Sequence, residues 1–153
     1  MPEGPLVEEK SGTAMMSDRK WAMMLMTIMG LDTFREMYGF VASDDVLRAV
    51  SLMMNNAVRE VGSEEDFIGH LAPHDFVIIT DEEHIAPIRE RIEMRLKQSM
   101  EYFYPLKDRD KAKQAMEESR LKLVIGQVTH QGGPYADVEA LKSAVLRSRE
   151  MES

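Results

Sequence analysis

The sequence predicts an α+β fold, a central mostly antiparallel sheet with helices packed on it, and three observations carry that prediction. The run Trp21 to Met29 is continuously apolar and is bounded by Gly30, as expected of a strand covered on both faces. Val46, Leu47, Val50, Met53, Met54, Ala57, Val58 and Val61 recur every three or four residues, the period of a helix with one buried face. Phe67 to Thr80 holds two apolar stretches around a tight turn at Ala72-Pro73-His74, the pattern of a hairpin.

Each element follows in order. Residues 1–20 mix polar and apolar types with Pro2, Gly4, Pro5, Ser11, Gly12 and Thr13, and read as a linker or the remnant of a lead-in helix. Residues 21–153 then form the domain. Ser43 is placed to cap the helix after the first strand. Asp44 and Asp45 fall in its first turn, where the helix dipole favours acids, and Gly62 is its natural stop. After the hairpin, Ile85, Ile88, Ile92, Leu96 and Met100 form a second helical stripe, with Pro87 near its start and Tyr104-Pro105 at its end. Lys107 to Arg120 is mostly charged and reads as a solvated excursion, within which Ala112 to Glu118 can extend as a helical arm. Leu121, Leu123 and Ile125 alternate with Lys122, Val124 and Gly126, a last core strand closed by the turn Gln131-Gly132-Gly133-Pro134. Asp137 is placed to cap a final helix that packs Val138, Leu141, Ala144 and Val145 on the sheet. The order strand, helix, strand, strand, helix, strand, helix is the split βαβ arrangement of ferredoxin-like and palm-type domains. That architecture hosts unrelated activities, so function has to be read from particular residues.

Composition excludes several classes. The 153 residues suffice for one domain. Absence of cysteine removes disulfides and thiolate metal sites and fits a reducing compartment, so the cytoplasm is the expected location. No apolar run approaches the roughly 20 residues of a membrane span. A net charge of −8 and a pI near 5.0 weigh against nucleic acid as a partner, because that affinity comes from clustered Lys and Arg. Fourteen methionines admit two readings, a soft-metal thioether site or core filling. Their strand and helix spacing favours packing.

Several segments carry a family likeness. Gly39-Phe40-Val41-Ala42-Ser43-Asp44-Asp45-Val46-Leu47 keeps Gly39, Asp44 and Leu47 of a GHxxGDxxL pattern. Leu31-Asp32-Thr33-Phe34-Arg35 resembles IDxFK, Val124-Ile125-Gly126 resembles SIG, and Ala72-Pro73-His74-Asp75-Phe76 stands in the signature hairpin. In this set and order the chain resembles the GGDEF family, the diguanylate cyclases that join two GTP molecules into cyclic di-GMP. The resemblance implies a nucleotide-cyclase palm, a ferredoxin-like sheet, over nearly the whole chain. Pro2 to Lys10 resembles the start of a family motif and the helix after it, so the natural protein is expected to extend upstream, into a receiver or sensor domain.

The departures bear on function. The family holds its divalent metal with one acid at the end of the first strand and one in the hairpin. The resemblance puts those positions at Gly30 and His74, neither a carboxylate, whereas magnesium strongly prefers oxygen ligands. In the hairpin, Ala72 adds a side chain where the family has glycine, and Pro73 removes an N–H and fixes φ. Only Asp75 and Phe76 match the end of the motif, and Phe76 is also a natural core residue. Met37-Tyr38 replaces the Asn-Asp pair of guanine recognition. Asp44 matches a second guanine-contacting acid, although an acid in a first helical turn explains it as well. Ser63-Glu64-Glu65-Asp66 keeps the Asp and lacks the Arg of the family's inhibitory RxxD. Arg149 stands for a phosphate-contacting Lys, or is simply a basic helix end.

Other chemistries fare worse. His70 and His74, with Asp75 beside them, offer a metal site only if the turn brings them together, and turn packing is the simpler reading. His84 and His130 have no evident partner. Ser/His/Asp groupings, G-x-S-x-G, P-loop and GxGxxG are all missing. The expectation is therefore a degenerate, non-catalytic GGDEF-like module of a bacterial signalling protein, without catalytic or metal-binding residues and without a cofactor. Its partners would be other domains of the same protein, a second copy, or another GGDEF domain. The alternative is a module that still binds GTP or cyclic di-GMP through Asp44, Asp75 and Arg149, or a cyclase with residual activity, the one case that requires Mg2+.

Overall fold

Strand β1 is Trp21–Met29, and its two faces feed two separate cores. Ala22, Met24, Met26 and Ile28 pack toward one layer, while Trp21, Met23 and Leu25 pack toward the other, the period of two that a strand imposes. Met23, Met24 and Met26 are at most 1% exposed, so packing accounts for these methionines. The computed structural model of the chain describes residues 3–72, 74–103, 121–133 and 135–152. Pro73, Tyr104-Pro105, the charged run Lys107 to Arg120 with its expected arm Ala112 to Glu118, and Pro134 lie outside the described residues.

The element order is α1 (Gly4–Met16), β1, α2 (Leu31–Val61), β2 (Phe67–Ala72), β3 (Asp75–Asp81), α3 (Ile85–Ser99), β4 (Lys122–Thr129), α4 (Val138–Arg147) and β5 (Glu150–Glu152). The sheet runs β2-β3-β1-β4-β5 with every pair antiparallel. The first layer, α2 and α3, buries Phe34, Val50, Met54, Ile88 and Ile92 against the sheet. The second, α1 and α4, buries Val7, Leu141 and Val145. Asp137 caps α4 as expected, its Oδ1 accepting from the Ala140 N–H at 2.8 Å.

Two features depart from the sequence reading, and one more decides between forms it left open. Of the two forms expected for residues 1–20, a helix is what residues 4–16 adopt, and it packs on the sheet with Val7 fully buried. Ser43 does not cap a helix. Helical chain already begins at Leu31, and the interruption falls at Gly39 (φ 91°, ψ 173°), a backbone region that side chains resist. Ser43 is instead inside the second part, its hydroxyl donating to the Phe40 carbonyl at 3.2 Å. The short strand β5, pairing Glu150 with Ile125, was not anticipated.

Candidate functional site

The end of β1 and the hairpin turn enclose a cleft of about 560 Å³. Met29 is 45% exposed there, and Gly30 (φ 85°, ψ 7°) turns the chain into α2. The Ile28 N–H donates to the His74 carbonyl at 3.2 Å, and Gly30 and His74 both line the cleft. Ala72, exposed at a register irregularity of β2, lines the same cleft.

Two charged groups of the cleft, Asp75 and Arg149, are joined through Thr27. Register pairs Thr27 with Asp75. The Thr27 hydroxyl donates to Asp75 Oδ1 at 2.7 Å and accepts from Arg149 Nη1 at 3.3 Å. Arg149 is held in turn by its Nε–H on the Leu146 carbonyl at 3.0 Å. Gly126 makes this possible. A Cβ there would lie 2.5 Å from the Val145 carbonyl oxygen and 2.8 Å from the Arg149 nitrogen, so only glycine lets the end of α4 lie this close to β4. Sequence reasoning finds Asp75 and Arg149 but misses Thr27, whose signal is being the lone hydroxyl in an otherwise apolar strand.

This donor set does not fit a magnesium ion. Mg2+ requires a near-octahedral oxygen shell. Of the cleft acids, Asp75 already accepts from Thr27, and the Asp32 side chain is 82% exposed with Arg35 at 3.6 Å. The Arg149 guanidinium also lines the cleft and adds a positive charge that repels a cation. Asp44 stands exposed on α2 beyond Gly39 and is not among the residues lining the cleft. His70 turns away from the cleft, its ring 4.7 Å from Phe76, with Nδ1 buried and unpartnered. Phe76 itself is 1% exposed, a core residue as expected.

The other end of the sheet carries a second group of polar residues. The Asp66 side chain is fully buried and accepts from the Ser63 N–H (2.8 Å), the Ser63 hydroxyl (2.6 Å), the Thr80 hydroxyl (2.8 Å) and Arg19 Nη2 (3.1 Å). Arg19 also reaches Asp81 at 3.4 Å. An arginine thus does stand beside this Asp, but it comes from the segment before β1 and serves as an internal counterion. His84 and His130, which the sequence left without partners, both have one: Nδ1 of His84 lies 2.7 Å from Asp81, and Nε2 of His130 lies 2.9 Å from Glu82. The hydrogen bond to Asp81 holds His84 above the usual imidazole range. For Asp81, burial pushes the carboxyl up, but the side-chain and backbone hydrogen bonds from His84 outweigh it and the net shift is downward. Asp81, Glu83 and His84 also form a group of three potential ligands among the described residues, far from the cleft along β3.

No family model matches the sequence, and no curated relative does. Solved structures match the fold. A diguanylate cyclase/phosphodiesterase from Caldicellulosiruptor saccharolyticus aligns at 13% identity over 97% of this chain and 82% of that one, with a TM-score of 0.61. The GGDEF domain of YfiN from Pseudomonas aeruginosa aligns at 16% identity over 97% and 87%, TM-score 0.62. The diguanylate cyclase SiaD of the same organism, solved with its activator SiaC, aligns at 11% identity over 97% of this chain and 55% of SiaD, TM-score 0.63. With the sheet order, the layer arrangement and these neighbours together, the chain has the fold of a GGDEF domain.

Proposed function

We propose that the chain is a non-catalytic GGDEF-fold module that regulates, or docks with, other parts of a bacterial signalling system. The observation that carries this reading is the cleft, where the resemblance puts the family's metal positions at Gly30 and His74 and where Asp75 and Arg149 share the Thr27 hydroxyl. Packing residues of the hairpin are kept while ligands are not, the pattern expected where the scaffold matters and turnover does not. Among the structural neighbours, SiaD was solved with a protein activator, and LapD from Vibrio cholerae, of which the match spans 26%, joins a GGDEF to an EAL domain. Partnership with a receiver or sensor domain, a homodimer, a GGDEF heterodimer and a cytoplasmic location belong to the same proposal.

One observation favours a second reading. Arg149 places a cation beside a cleft large enough for part of a nucleotide, so metal-free binding of GTP or cyclic di-GMP through Arg149 and Asp75 is the alternative. Asp44 would take part only if ligand reached across α2. Calorimetry with GTP and with cyclic di-GMP, each with and without magnesium, separates the two, and product analysis tests turnover. The expected result is no cyclic di-GMP formed and no magnesium-dependent heat. Product formation overturns the non-catalytic reading, and a metal-independent heat that Arg149→Ala abolishes replaces it with the binding module.

A further inference from the structure

The break in α2 exposes a compact apolar knob. Met37, Phe40 and Val41 are 49%, 71% and 77% exposed, and they lie within one short segment around Gly39. The positive φ of Gly39 turns the chain there, so that Tyr38 packs inward with its ring 4.9 Å from that of Phe34 while its apolar neighbours stay in solvent. Space does not force a glycine at this position, since a Cβ would meet nothing within 4 Å. Backbone conformation alone does. Three large side chains, two of them more than 70% exposed, are thus left in water within five residues of one another.

Charge around the knob narrows the occupant. Asp44 and Asp45 lie four residues beyond Phe40 and Val41, on the same helical face, and both are exposed. Asp32 and Glu36 are exposed on the preceding turns. Against these four acids stand Arg48 and Arg35. Arg35 is drawn inward, its guanidinium 5.3 Å above the Phe40 ring, 3.4 Å from the Ser43 hydroxyl and 3.6 Å from Asp32. A second copy meeting the knob about a two-fold axis would set acids against acids, and an anionic membrane would be repelled. A basic rim around an apolar socket complements it on both counts.

We propose that Met37, Phe40 and Val41 form a docking knob for a protein partner that presents an apolar pocket rimmed by lysine or arginine. This deepens the regulatory reading and rests on it, because the knob occupies the segment where the family's guanine-recognition pair would stand.

An amphipathic helical peptide of leucine and lysine serves as the probe, titrated into the full chain with labelled methionine methyls and backbone amides. Shifts are expected at the Met37 methyl and along residues 35–45, weakening as salt rises. Phe40→Ser with Val41→Ser lowers affinity about tenfold or more, and so does Asp44→Lys with Asp45→Lys, which keeps the apolar groups and guards against loss of fold in the first variant. Glu64→Lys with Glu65→Lys, at the other end of the molecule, changes it less than about twofold. Shifts scattered over the acidic surface and indifferent to Phe40 and Val41 overturn the proposal. So does a concentration-dependent dimer that the Phe40/Val41 variant abolishes, which assigns the knob to a second copy. Assaying the same sample with GTP and magnesium keeps the two levels apart: cyclic di-GMP formation sinks the regulatory reading, whereas failure of the peptide without turnover sinks the docking surface alone.

Discussion

The two ends of the sheet use polar residues in opposite ways. At the Asp66 end, a fully buried carboxylate is saturated by four donors, and Arg19, Asp81 and His84 extend the network to the start of α3. At the cleft end, Asp75 is tied to one hydroxyl, Arg149 reaches the same hydroxyl, and the positions that would aim acids at a ligand are Gly30 and His74. One end is built as structure. The other leaves two charges on a single hydroxyl at the rim of an open cleft, and the contrast teaches that burial, which makes an unpaired charge costly, is what saturates Asp66.

The comparison can be broken by mutation. Phe76→Ala removes a fully buried ring beneath the hairpin and is expected to cost about 4 kcal/mol in urea unfolding, which would show the signature position to be core. Asp66→Ala strands Arg19, Thr80 and the Ser63 N–H and is expected to cost about 3 kcal/mol; a loss under about 1 kcal/mol would erase the distinction between the two ends. Asp75→Asn keeps an acceptor for Thr27 and is expected to change stability by less than about 1 kcal/mol, and a larger loss would mean the cleft end is structural too.

At the Asp66 end, stability also depends on pH. His84 is raised in the fold above its ordinary value of about 6.5, so its contribution is complete below that value and is lost as pH rises through the folded pKa. Asp81 is lowered, so its contribution is present above about pH 3.9 and fades as pH falls through its folded value. Mildly acidic solution keeps both. Urea midpoints of the native chain should therefore decline on the alkaline side of that window, and those of His84→Gln should stay flat there. A parallel decline in the variant would remove His84 from the network.

Much of the molecule was legible in the residues alone. Trp21 to Met29, the stripe from Val46 to Val61, the hairpin and the Asp137 cap depend on periods and neighbours a few positions apart, and such local patterns carry over into the fold. The partnerships came from packing. Arg19 meets Asp66 across 47 positions and Arg149 meets Thr27 across 122, distances over which no local pattern records who will be adjacent. Ser43 misled because a serine followed by two acids imitates a cap wherever it occurs, while the true break falls at Gly39, whose positive φ no neighbouring residue announces. Periodicity specifies which face is buried; only packing specifies what that face, and the charges at its edges, will touch.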